Sequence, residues 1–268
     1  YVVAVGAAKG SLGANTTATD SEINFKMAAI ALHATSGEVA WISQFGTSKT
    51  DDLSTVRVNS GTNVTYVGGS TAAEMGDIVA NKRDFVVVAL STVDGDLLWV
   101  WQNGTDNKDR INGLDMNEDG SVLYTVGETN GVFAPGGSTG DDLDVIVLAL
   151  NATSQELLWA YQGDSAEHSD DYAHSVAYDS TNGLLVVAGG TYGSYGGSSY
   201  SGGADSLILT LNASNGNLLS SAQGDGGEDD LLWDIALDDD LGEAFLVGSS
   251  GYSTTEGSAY DMDAFVLL

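Results

Sequence analysis

Cysteine is absent from the 268 residues, which excludes disulfides and thiolate metal sites. Proline occurs once, so this is not a Pro-rich extended chain. Basic residues are scarce, 8 Lys and Arg against 38 Asp and Glu, for a net charge of −30. Such a surface repels phosphate backbones and anionic lipid, which excludes nucleic acid as a partner. No apolar run approaches the length of a membrane-spanning helix, and no segment has helical periodicity. No signal peptide is visible. The chain opens on "YVVAVG", a strand already under way, so a longer gene product is expected.

What is present is glycine, 35 residues of it, and a repeat. The stretches "LHATSGEVAWISQFGTSKTDD", "LSTVDGDLLWVWQNGTDNKDR", "LNATSQELLWAYQGDSAEHSDD" and "LNASNGNLLSSAQGDGGEDD" begin at Leu32, Leu90, Leu150 and Leu211, spaced by 58, 60 and 61 residues. Gln44, Gln102, Gln162 and Gln223 each follow their leucine by 12. Chance does not hold that offset four times, so the repeat governs the fold.

Each repeat holds four short strands, a to d. Strand a is "INGLDM" or "AHSVAY", strand b "VLYTVG" or "LLVVAGG", strand c "DFVVVAL" or "DVIVLAL", and strand d "LLWVWQ" or "LLWAYQ". The a–b and c–d links are short and rich in Asn, Asp and Gly, which marks hairpins. Strand c is a near-continuous apolar run, so both its faces are covered. Radially stacked antiparallel units, a β-propeller, supply both covers. A sandwich would alternate more cleanly, and a solenoid would have shorter, parallel rungs. The expected fold is all-β, a propeller of roughly 60-residue blades. The repeats fall near 1–54, 55–110, 111–172, 173–231 and 232–268, with three complete blades between two partial ones. The strand count is 18, not a multiple of four. Either more chain flanks this segment, which is the expectation, or a partner completes the end blades.

The order D-x-F-V-V-x-L, N-A-S-x-G-x-L-L-W-x-x-Q-x-G, D-D, then a hairpin ending V-G, is carried by "DFVVVALSTVDGDLLWVWQNG", "DSLILTLNASNGNLLSSAQGDGGEDD" and "DAFVLL". It resembles the seven-bladed propeller repeat family often labelled SBBP, across nearly the whole chain. That resemblance implies large secreted or surface proteins without assigned chemistry. Lys26, Arg110 and Ser220 depart from the pattern, at a strand-c aspartate, an aspartate pair and a strand-d tryptophan. A second resemblance is that of "VLALNATSQELLWAYQG" to the tryptophan-docking motif of quinoprotein propellers. No convergent set of quinone ligands accompanies it.

Several residues are candidates for chemistry. Asp51/Asp52, Asp170/Asp171 and Asp229/Asp230, with Asp84, Asp144, Asp205 and Asp263, recur with the repeat. Carboxylates there suit calcium, but a residue found in every blade more often accepts from backbone N–H groups and fixes a turn. Asp115, Asn117 and Asp119 precede Gly120 like the start of a calcium loop, although Leu123 stands where a later acidic ligand belongs. His33, His168 and His174 lack a nucleophile context, so no catalytic residues or organic cofactor are expected. N-linked glycans are expected at the sequons Asn15, Asn63, Asn103, Asn151 and Asn212. Tyr192, Tyr195, Tyr200, Tyr252 and Tyr260 lie in long b–c loops that suit sugars or a protein partner. The expectation is a non-catalytic, extracellular, acidic β-propeller glycoprotein that binds protein partners or like subunits, as in a surface filament, with no membrane insertion. A carbohydrate-binding propeller is the alternative and a propeller enzyme the third. A halophilic surface protein would explain the acidity without a ligand.

Overall fold

In the computed structural model, residues 1–12, 24–75, 82–137, 140–200, 202–224, 228–238, 243–252 and 261–267 are described. They contain 18 strands and no helix. The chain divides into two compact units, residues 1–114 and 115–268.

The first unit contains a three-stranded sheet of β1 (Val2–Ala8), β2 (Lys26–Leu32) and β3 (Val39–Phe45) in that order. Its second sheet runs β4 (Asp51–Asn59), β5 (Val64–Thr71), β6 (Asp84–Ser91) and β7 (Leu97–Asn103). The unit boundary falls inside β8 (Asp109–Met116). Following it are β9 (Val122–Thr129), β10 (Asp144–Asn151) and β11 (Leu157–Gly163), in a sheet of order β11-β10-β9-β8. Next comes a four-stranded sheet of β12 (Asp171–Asp179), β13 (Leu184–Thr191), β14 (Asp205–Asn212) and β15 (Leu218–Gly224). The last has three strands, β16 (Asp230–Asp238), β17 (Glu243–Tyr252) and β18 (Asp261–Leu267). All described pairings between these strands are antiparallel. The architecture is therefore all-β and propeller-type, with three four-stranded blades between two three-stranded ones.

Strand c of the second and third blades, β6 and β10, is buried on both faces, as its unbroken apolar run requires. Phe85, Val86, Val87, Val88, Ala89 and Leu90 in β6 are wholly inaccessible, and so are Val145 to Ala149 in β10. Burying each large side chain contributes at most ~1.5–3 kcal/mol. In the first unit, Val86, Val88 and Leu90 pack with Met27, Trp41 and Leu53. In the second, Val145 and Val147 pack with Val176, Val187 and Leu209. A smaller cluster joins Ala188 to Leu232, Ile235 and Leu246.

Two irregularities recur with the repeat. Every described c–d pair shifts register at the same place: after Ala31, Ala89, Ala149 and Thr210. The extra residue is Ala40, Leu98, Leu158 or Leu219, and the three leucines are exposed. A β-bulge of this kind turns its extra residue out of the ladder. It also sets the next residue, the strand-d tryptophan, against the following blade. Trp41 donates Nε1–H to the carbonyl of Thr92, and Trp159 donates to that of Ala213. Each ring lies against the positive-φ glycine of that turn, Gly95 or Gly216, where a β-carbon would collide with the indole. Each of these tryptophan contacts lies within one unit.

Candidate functional site

The repeated polar residues form one network, built again in each of the three four-stranded blades and in part in the first blade. Each glutamine ends strand d beside the start of strand c. Gln102, Gln162 and Gln223 donate Nε2–H to Asp84, Asp144 and Asp205 Oδ2 at 2.6–2.7 Å. The same amides donate to the b–c loop carbonyls of Ala73, Gly131 and Gly193. Their Oε1 atoms accept backbone N–H groups from Met75, from Phe133 and Ala134, and from Tyr195. Gln44 repeats the loop contacts, with Gly10 O and Leu12 N. At that position Lys26 stands in place of the aspartate and is itself buried. Burial pushes the Asp84 carboxyl up, against the Gln102 hydrogen bond. A buried carboxylate needs such donors, so the glutamine is the aspartate's solvation shell and the loop's clamp together.

A second set of aspartates opens strand a. Asp51, Asp109, Asp171 and Asp230 are equivalent in the structure, which corrects the pairing read from the sequence. Asp51/Asp52 is offset by one residue from Asp170/Asp171 and Asp229/Asp230. Asp51, Asp109 and Asp171 accept backbone N–H groups from Thr47, Thr105 and Ser165. Asp170 and Asp229 accept from Leu143 N and Ala204 N, just before strand c. Asp52 instead sits between Arg83 and Arg110 at 3.4 and 3.6 Å. Asp171 is wholly buried, and desolvation, opposed by hydrogen bonds from Thr191 and Ser165, pushes its carboxyl up to about 7. Asp263 lies in β18 and pairs in register with Ser250.

The residues chosen for a calcium loop have separate partners. Asp115 Oδ2 accepts the N–H of Tyr178 in β12, and Oδ1 accepts that of Met116. Asn117 and Asp119 serve the hairpin, accepting from Val122 N and Ser121 N. Of the sequons, Asn63 is exposed in the a–b turn at φ 56. Asn103 ends β7, while Asn151 and Asn212 end β10 and β14, each accepting N–H groups of its own turn. Asn15 lies outside the described residues.

The loop tyrosines separate. Tyr195 is 4% exposed and belongs to the core, its hydroxyl 2.8 Å from that of Tyr161, so it is removed from the set of surface residues. Tyr192 and Tyr200 are 37% and 38% exposed. Tyr252 closes β17 and Tyr260 lies outside the described residues. Sequence reasoning missed an aromatic row in the second unit. Tyr192 meets Tyr172 edge-on, Tyr172 stacks near His174, and His174 stacks on Trp233 with centroids 4.5 Å apart. His174 and Trp233 are the extra residues of the a–b bulges, a signal invisible without the register.

His168 lies in the loop before β12, paired through Nδ1 with Asp164 Oδ2, which holds the imidazole toward its cationic form. Asp142 joins them: one ligand atom from each of Asp142, Asp164 and His168 lies within 4.8 Å of the others. In the first unit, an open groove of ≈ 800 Å³ is lined by Gln44, Phe45, Met75, Leu97 and Val100, with Glu74 at its side.

No protein-family model matches the chain, and no curated protein matches it. Solved structures do. A quinohemoprotein alcohol dehydrogenase from Pseudomonas putida HK5 is 15% identical, with a TM-score of 0.47 over 92% of this chain and 40% of its own. An acylaminoacyl peptidase from Pyrococcus horikoshii is 10% identical, TM-score 0.41, over 81% of this chain and 32% of its own. A putative 6-phosphogluconolactonase from Bacteroides uniformis is 11% identical, TM-score 0.41, over 99% of this chain and 82% of its own. The chain thus spans less than half the length of the first two.

Proposed function

We propose that this chain is a non-catalytic structural and interaction module of an extracellular protein, built from SBBP-like propeller repeats and taking part in a larger surface assembly such as a filament. One observation carries the reading. The polar residues that recur with the repeat are spent on the same scaffold contacts in blade after blade, glutamine to aspartate and to loop backbone. Residues kept for chemistry are expected at one place, not at every equivalent place. Two further features favour an interaction role. Strand d lies at the edge of its sheet and exposes Leu97 and Leu98 in β7 and Leu218 and Leu219 in β15. Exposed apolar residues along unpaired edges suit association with a protein partner. The net charge of −30 suits a saline exterior, and glycans at Asn63, Asn103, Asn151 and Asn212 fit the same location.

The test is the assembly state of the native full-length protein, by ultracentrifugation, with glycopeptide mapping. Higher-order assemblies bearing asparagine-linked hexose support the reading. A monodisperse monomer overturns the assembly, and unmodified sequons overturn the glycoprotein.

A second reading rests on the row of Tyr192, Tyr172, His174 and Trp233. Flat aromatic faces stack on sugar rings, and Trp233 is 50% exposed. Binding on a glycan panel that disappears with Trp233→Ala would favour it. No binding, with or without calcium, would remove it.

A further inference from the structure

We propose that Asp142, Asp164 and His168 form a binding site for a divalent transition-metal cation of the Zn²⁺ or Mn²⁺ class. The three side chains come from two loops of the second unit. Asp142 stands two residues before β10, and Asp164 and His168 lie between β11 and β12. Their ligand atoms are gathered within 4.8 Å. Ligands bound at about 2.0–2.2 Å in tetrahedral geometry are separated by somewhat less than this, so side-chain rotation suffices to close the set.

The independent sign of a ligand is Asp164. Its side chain is 8% exposed, in a loop, and one oxygen meets His168. The other, Oδ1, is buried without a hydrogen-bond partner among the described residues. A buried carboxylate oxygen without a donor is costly, and a metal ion removes that cost. The loop is also held in place, since Glu167 accepts the N–H and hydroxyl of Ser194.

The donor set selects the metal. Two carboxylates and an imidazole are a mixed N/O set of the kind zinc and manganese accept, whereas calcium takes oxygen ligands. This site is separate from Asp115, Asn117 and Asp119, whose partners are already described.

The experiment is calorimetric titration of the EDTA-treated, dialysed chain with Zn²⁺, Mn²⁺ and Ca²⁺, each in excess Mg²⁺, followed by thermal melting. One equivalent of Zn²⁺ or Mn²⁺ is expected to bind and raise the melting temperature. His168→Ala and Asp142→Asn are each expected to weaken binding by about tenfold or more. Both change loop residues, and a melt without metal verifies folding. Asp119→Asn, on a separate turn, is the control and leaves the affinity unchanged. Absence of saturable one-equivalent binding overturns the site. So does binding that is indifferent to both loop variants, which would be diffuse attraction to an acidic surface. Saturable binding of Ca²⁺ alone overturns the donor-class assignment.

Discussion

The indole of Trp41 donates its Nε1–H to the carbonyl of Thr92 at 2.9 Å, while Gly95 of the same turn lies so close that a β-carbon there would sit 2.6 Å from the ring. The tryptophan ends one blade and the turn belongs to the next, so one residue pair ties neighbouring blades. Trp41→Ala is expected to cost about 3–5 kcal/mol by emptying a packed aromatic site. Gly95→Ala is expected to destabilise as well, through the collision and through its φ of 78, where a side chain costs about 1–2 kcal/mol. Urea melts of both variants test this, and a Gly95→Ala protein as stable as the parent would refute the contact.

Gln155 occupies the turn position held by Gly37, Gly95 and Gly216 in the three other repeats, and it has the same left-handed backbone, φ 62. The left-handed backbone strains glutamine but not glycine, while glycine loses more chain entropy on folding. Gln155→Gly is expected to be neutral to stabilising, by up to about 1 kcal/mol. A clear loss of stability in denaturant titration would mean that the Gln155 side chain makes a contact that outweighs the strain.

The glutamine clamp gives a sharper test. Gln162 solvates Asp144 and accepts the N–H groups of Phe133 and Ala134. Gln162→Ala strands all three, and donors or acceptors left buried cost about 1–3 kcal/mol each. A loss of about 3 kcal/mol or more is expected from urea unfolding. Gln162→Glu places a second carboxylate against Asp144. Its penalty should be largest near neutral pH and shrink in acid, where one carboxyl of the pair is protonated.

The strands were legible because burial writes itself into residue type. An apolar run of β6 length needs two covers, and the constant 12-residue interval from leucine to glutamine fixes where strand d ends. The bulges were not legible, since a register shift at Ala89 or Ala173 depends on which residue stands opposite. Nor was the role of Gln102, whose position was conspicuous but whose aspartate lies 18 residues earlier across a hairpin. The set of Asp142, Asp164 and His168 has no sequence signature because two loops of unrelated composition supply it. Tyr195 misled for a related reason: a Gly-rich loop reads as exposed, yet this one folds its tyrosine inward against Tyr161.

Asp171 makes stability depend on pH in a stated direction. Its carboxyl is raised from an ordinary value of 3.8 to about 7 by burial. The folded protein therefore holds this proton more tightly than the unfolded chain, and the contribution is fully present below about pH 4. It is lost as pH rises through about 7, because ionisation then takes place in a buried site. A displacement of that size corresponds to at most about 4 kcal/mol. Asp171→Asn keeps the shape and an acceptor for Ser165 N but cannot ionise. Unfolding measured between pH 5 and 8 in chelator should show the parent losing stability relative to the variant, so that the difference between them narrows or reverses as pH rises. Parallel profiles would mean that Asp171 keeps its charge at little cost, through hydrogen bonds from Thr191 and Ser165 that outweigh its burial.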